Sequence, residues 1–223
     1  MMKERLQYRS CSLVKVMLWV VLLLVPCVGF AQSAASILSK AASIYEEANG
    51  ITASFAMRTH SEQQQASESM EGTIHMKGDK FVLLTPGTST WFNGKTQWTY
   101  IENTDEVNVS NPTGEELQFT NPALLLRMYK SGFTPFLKGE STAQSGKSAY
   151  DVELTPKKKG DILKVELQIE KISSLPVRIA ITTKQGVSTT IQISKFKAGV
   201  NHPDSFFTFK QSDYPNVEVV DLR

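Results

Sequence analysis

Ile162-Leu163-Lys164-Val165-Glu166-Leu167-Gln168-Ile169-Glu170 decides the fold class. From Leu163 onward, Leu163, Val165, Leu167 and Ile169 alternate with Lys164, Glu166, Gln168 and Glu170. Successive side chains of a strand point to opposite faces. This segment therefore has one dry face and one wet face, as a strand of an antiparallel sheet does.

Segments of the same kind lie on either side. Tyr150 to Leu154, Val177 to Thr183 and Ser188 to Phe196 read as strands, joined by turns at Pro156 to Asp161, Ser173 to Pro176 and Lys184 to Gly186. Phe206 to Phe209 reads as a short final strand, and Glu218 to Leu222 as a further one. Towards the N-terminus, Ile51 to Arg58 alternates, with Ile51, Ala53, Phe55 and Met57 on one face. Gly72 to Lys77 and Phe81 to Thr85 flank the turn Gly78-Asp79, and Ser89 to Phe92 and Lys95 to Ile101 flank Asn93-Gly94, a strong hairpin signal. Glu106 to Val109 is another strand, while His60 to Ser69 is polar and aperiodic and reads as an exposed loop.

Two segments have a helical period. Ile37, Leu38, Ala41, Ile44, Tyr45 and Ala48 recur at three- and four-residue spacing, with Ser33 or Ser36 as cap and Asn49-Gly50 as stop. Asn121-Pro122 opens a short helix through Lys130, ended by Gly132 and apolar nearly all round at Leu124, Leu125, Leu126 and Met128. The predicted class is mainly β with helices (α+β). A large antiparallel sheet curls to manage its edges, and its concave face is the one large apolar surface on which the helices can bury theirs.

The first 31 residues read as an address. Lys3, Arg5, Arg9 and Lys15 precede the apolar run Val16 to Gly29, and Gly29-Phe30-Ala31 offers small residues for cleavage after Ala31. That is the layout of a secretory signal peptide, and its apolar run is shorter than the roughly 20 residues of a spanning helix. Residues 32–223 are then a single exported domain. The whole chain has a net charge of +2; without the leader, 20 basic and 21 acidic residues remain. No basic excess is left for a nucleic-acid binder or a polybasic anchor. Cys11 and Cys27 both fall in the leader, and Pro26 before Cys27 does not fit a lipid-attachment signal. The exported part has no disulfide, thiolate or cysteine metal site.

Signals of catalysis are missing too. His60, His75 and His202 form no ligand-type pair and read as solvated or lightly buried histidines. Ser145-Gly146-Lys147-Ser148 resembles the end of a phosphate loop, but position 141 is Ser141 rather than the leading glycine, so a hairpin turn explains it better. Glu46-Glu47 and Glu115-Glu116 lie in polar surroundings with nothing to raise a pKa. No catalytic residue, metal site or cofactor is assigned. The profile fits a binder of an apolar ligand, and equally a plain β domain.

Four stretches in order resemble the LolA family, periplasmic carriers of outer-membrane lipoproteins. They are the helix leading into Gly50-Ile51-Thr52-Ala53-Ser54-Phe55, the strand–turn–strand Met70 to Phe81, the hairpin Asn93-Gly94-Lys95-Thr96-Gln97-Trp98-Thr99-Tyr100, and Asn121-Pro122-Ala123-Leu124-Leu125-Leu126. In the third, Asn93 replaces the family's aspartate. The resemblance implies an incomplete β-barrel with a lid of short helices over its open face. It implies a monomeric carrier that takes acylated lipoproteins from an inner-membrane release complex to an outer-membrane acceptor. Cavity and lid candidates are Phe55, Met57, Ile74, Met76, Phe81, Leu83, Trp91, Trp98, Tyr100, Leu125, Leu126 and Phe133; each could equally be ordinary core. Where the family often carries an arginine that latches the lid, this chain has Lys77-Gly78-Asp79. Lys77 or Lys80 could substitute, although a turn lysine is more often solvated. Two other readings stay open. One is a related lipid or glycolipid shuttle or lipoprotein sensor, less favoured because the chain ends at Arg223 without a further domain. The other is a secreted binding module with exposed Trp91 and Trp98.

Overall fold

In a computed structural model, the structure describes residues 33–113, 117, 129–130 and 132–223. The expected signal segment, and most of the expected apolar helix including Leu125 and Leu126, lie outside them. Ser33–Arg223 forms one compact unit.

Helix α1 spans Ala34–Glu47. The Ser33 side chain accepts a hydrogen bond from the Ser36 amide, satisfying one of the amides that a helix start leaves without a partner. The predicted stripe is the buried one: Ile37, Leu38, Ala41 and Tyr45 are nearly inaccessible. The helix stops before Gly50, whose φ of +107° brings its backbone close to Val200. A Cβ there would stand 2.1 Å from the Val200 carbonyl oxygen, so only glycine fits.

Twelve strands follow: β1 Ile51–Ser61, β2 Ala66–Lys77, β3 Lys80–Thr85, β4 Thr88–Phe92, β5 Gln97–Ile101, β6 Glu106–Ser110, β7 Phe133–Thr142, β8 Ser148–Pro156, β9 Ile162–Glu170, β10 Pro176–Thr183, β11 Val187–Ala198 and β12 Glu218–Asp221. They form one sheet in the order β12-β6-β5-β4-β3-β2-β1-β11-β10-β9-β8-β7. Its two ends do not pair, so the curled sheet is an incomplete barrel. All neighbours are antiparallel except β12, which runs parallel to β6.

Register defines two faces. Ala53, Ile74, Met76, Phe81 and Phe92 share one with Val152, Val165, Leu167 and Ile179, and α1 packs there in a single core. Tyr129 donates to the Ala35 carbonyl and meets Ser39 Oγ at 2.9 Å, fastening its side chain to α1. His75, Val82, Trp91, Trp98, Val107 and Val109 lie on the opposite face.

Three expectations are corrected. The polar stretch His60 to Ser69 is not a loop: β1 and β2 continue through it, pairing His60 with Ser67, and turn only at Glu62 to Gln65. The hairpin outruns the core, so it needs no apolar face, and His60 Nδ1 to Ser67 Oγ and Thr59 to Thr189 hydrogen bonds support it instead. Strand β7 is an element the sequence reading lacks. Pro135 and Gly139 interrupt its pattern, and both are tolerated because β7 is the sheet edge and bulges between Leu137 and Gly139. Phe206 to Phe209 is not a strand: Asp204–Phe207 is a 3₁₀ turn following Pro203. Two consecutive phenylalanines pack there, Phe207 at 0% exposure and Phe206 on His202, which strand alternation would forbid.

Candidate functional site

Between α1 and the concave face lies an apolar cavity of about 190 Å³. Strand alternation supplies its floor. Ala53, Phe55 and Met57 come from β1, and Met70, Ile74 and Met76 from β2. Leu83 and Thr85 come from β3, and Ile191 and Ile193 from β11. Tyr45 of α1 closes the side towards the helix. Burial pushes the Tyr45 phenol far above its ordinary pKa, so it stays neutral. No lining residue is charged. Three are methionines, whose flexible thioethers adapt to variable apolar shapes.

Gly72 shapes this space. It pairs with Phe55 across β1 and β2, and the Phe55 ring folds over it. A Cβ at Gly72 would lie 2.6 Å from Phe55 Cζ and 2.6 Å from the Leu84 carbonyl oxygen.

Of the twelve candidates, Phe55, Met57, Ile74, Met76 and Leu83 are brought together around the cavity. Phe81 shares the face but is fully buried beside Phe92, with ring centroids 5.4 Å apart. Phe133 is buried in the same core on β7. Trp91, Trp98 and Tyr100 are placed on the far face of the sheet. There Trp91 meets Phe209 and Tyr214 at 5.5 and 6.0 Å, and Tyr100 meets Tyr214 at 4.6 Å. Alternation says which residues share a face, but not which face is concave. Leu125 and Leu126 lie outside the described residues. Tyr45, Ala53, Met70, Thr85, Ile191 and Ile193 are additional lining residues. Met70 was legible, since it continues the parity of Ile74 and Met76; the β1–β11 pairing that brings in Ile191 and Ile193 was not.

Lys77 and Lys80 are occupied on the far face. Their ammonium groups lie 3.4 and 2.6 Å from the Asp204 carboxylate, and Lys77 also donates to the His202 carbonyl. Hydrogen bonding and charge from Lys80, then Lys77, hold Asp204 below the usual carboxylate pKa. These lysines fasten the C-terminal segment rather than a helical lid. Ser145-Gly146-Lys147-Ser148 is a turn, closed by the Ala143 amide on the Lys147 carbonyl at 2.8 Å, and Lys147 pairs with the buried Glu170. Among the described residues no group of His, Cys, Asp and Glu could hold a metal, and no helix is long and apolar enough to cross a membrane.

The described residues thus form a half-open barrel with an uncharged apolar pocket beneath α1. The family model described as outer membrane lipoprotein carrier protein LolA matches residues 27–186, and the chain belongs to that family. None of the curated proteins matches it significantly. Among solved structures it is similar to an uncharacterized conserved protein from Thermus thermophilus, at 16% identity and a TM-score of 0.58 over 84% of this chain and 98% of that one. A DUF1329 family protein from Desulfovibrio piger is 13% identical, with a TM-score of 0.48 over 82% and 100%. A LolA superfamily protein from Nitrosomonas europaea is 17% identical, with a TM-score of 0.43 over 80% and 99%. The likeness to the Thermus protein is one of fold.

Proposed function

We propose that the protein is a periplasmic carrier, exported by the signal segment 1–31, that shields the acyl chains of lipoproteins between the inner and outer membranes. The observation that carries this reading is the uncharged cavity between α1 and the concave face. Each methylene moved out of water contributes about 0.8 kcal/mol, so a sixteen-carbon chain costs on the order of 12 kcal/mol to leave exposed. A lipoprotein needs such cover to cross an aqueous space. The partners on this reading are acylated lipoproteins, an inner-membrane release complex and an outer-membrane acceptor, with the carrier acting as a monomer.

The size of the cavity bears on affinity. An apolar cavity of about 150 Å³ takes a ligand the size of benzene. The 190 Å³ here is of that order, so it holds a short part of one chain. Cargo must displace side chains or the helix to enter fully. That displacement costs free energy and keeps binding weak enough for delivery. The packing of Trp91 beneath Phe209 and Tyr214 counts against a module that binds through exposed aromatics.

Native mass spectrometry tests the reading. Mixed with a triacylated lipoprotein and with its unacylated form, the protein is expected to form a one-to-one complex with the acylated form alone. No complex with either overturns the carrier reading.

A further inference from the structure

We propose that the lysine-rich rim at one end of the sheet is a docking surface for anionic phospholipid membranes. The fold assembles it from segments far apart in sequence. The β8–β9 turn carries Lys157, Lys158 and Lys159, the β10–β11 turn carries Lys184, and Lys130 lies beside them, all exposed. The Lys184 amide donates to the Asp161 carbonyl at 2.9 Å, tying the two turns together. The Lys157 amide donates to the Gly132 carbonyl and its ammonium to the Lys130 carbonyl, both at 2.9 Å. Among the described residues, the carboxylates facing this rim are Asp161 itself and Glu62, whose backbone amide donates to the Gly186 carbonyl from the neighbouring turn. Among the described residues, five lysines against two carboxylates leave a local positive field that the near-neutral whole does not reveal. Among the described residues, Lys158, Lys159 and Lys184 form no ion pair.

Two further observations favour a lipid surface over an acidic protein. Leu163, at the root of the β8–β9 turn, is 51% exposed. A large exposed apolar side chain at the root of a lysine-bearing turn suits the boundary between headgroups and acyl chains. Protein interfaces favour aromatic residues and arginine and are poor in lysine; the two turns hold lysine and neither of those. The lining of the cavity reaches towards this end of the sheet. Half-buried Met57 and Met70 pair with each other close to the β1–β2 turn, and Thr85 precedes the β3–β4 turn at the same end. A membrane held by the rim lies at the end of the sheet that Met57, Met70 and Thr85 of the cavity lining approach.

The charge pattern stands whether or not acyl chains enter the pocket. The test is sedimentation of Ser33–Arg223, the compact unit, with vesicles of phosphatidylcholine alone and with about a third phosphatidylglycerol. Binding is expected to the anionic vesicles only and to weaken steeply with salt. A near-surface lysine contributes roughly a fivefold factor, so the triple variant Lys158→Ser, Lys159→Ser, Lys184→Ser is expected to bind about 100-fold more weakly. Leu163→Ser is expected to weaken binding severalfold. All four side chains are exposed, so the urea midpoint checks that folding is unchanged. Equal binding to both vesicles, no binding at low salt, or full binding by the triple variant overturns the proposal. Complex formation with acylated lipoprotein in solution is read separately: its loss with vesicle binding intact sinks the carrier reading and leaves the rim.

Discussion

His75 and His202 meet edge to face, with ring centroids 5.0 Å apart, although 127 positions separate them in the chain. His75 Nδ1 lies 2.9 Å from Thr52 Oγ1, and His202 stacks on Phe206 at 3.9 Å with its Nε2 buried and without a hydrogen-bond partner. The pair joins the sheet to the segment that crosses its far face.

Acid is expected to weaken this joint. Burial, and then the neighbouring His202, hold the His75 imidazole below its ordinary value of about 6.5. The unfolded chain therefore takes up that proton first as pH falls. The stability contributed by the neutral ring is complete above about pH 6.5 and is lost below it, until the folded ring itself titrates. Urea unfolding measured from about pH 7.5 to 5 should show stability falling with acid, and His75→Asn should flatten the slope through this window. An unchanged slope in the variant would assign it to other groups.

Packing rather than charge is expected to hold the C-terminal segment. Phe207 is wholly buried, and a buried Phe→Ala change costs about 3–5 kcal/mol. Asp204 is 66% exposed, and exposed ion pairs contribute about 0–1 kcal/mol. Phe207→Ala should thus lower the urea midpoint far more than Asp204→Ala, and only the Asp204 effect should fade in high salt.

Trp91 and Trp98 report on the same segment, since Phe209 and Tyr214 cover Trp91 and Trp98 packs in the cluster around Val107 and Val217. Their emission should be blue-shifted in the folded protein and move to the red when residues 204–223 are deleted. Emission near that of free tryptophan before deletion would contradict the packing seen here.

Gly72→Ala is expected to disturb the cavity directly. The new methyl group meets the Phe55 ring and the Leu84 carbonyl at 2.6 Å, and the carbonyl cannot move without breaking into the β2–β3 ladder. Such overpacking costs roughly 1–3 kcal/mol. Phe55 should be driven into the cavity, so the variant should unfold at lower urea and bind an apolar fluorescent probe less well than the parent.

Residues with a one-sided environment were the legible ones. Ile162–Glu170 has the bounds its alternation predicts. Asn93-Gly94 turns as expected, with Asn93 Oδ1 accepting from the Lys95 and Thr96 amides. The α1 stripe and the late strand Glu218–Asp221 also match their sequence readings. Elements without such an environment were not legible. The polar β1–β2 hairpin has water on both faces, and β7 has a proline that only an edge position allows. The cavity was half legible for a related reason: parity groups residues by face, but the side towards which the sheet curls depends on pairings such as Phe55 with Ile193, remote in sequence. For that reason Trp91, Trp98 and Tyr100 read as cavity candidates while lying beneath the C-terminal segment.

The central pairing of the sheet has a consequence for how the protein is made. β1 and β11 zip together residues as far apart as Ile51 and Ala198, 147 positions in sequence. Hairpins on either side can close early, but loop entropy delays the seam that joins them. Until β11 has been synthesised, β1 is an open edge and the floor of the cavity has no second wall. For most of its synthesis the nascent chain is thus a half-sheet of β1 to β6 with a bare edge at β1 and an unprotected apolar face. Such a chain is exposed to aggregation until the seam closes.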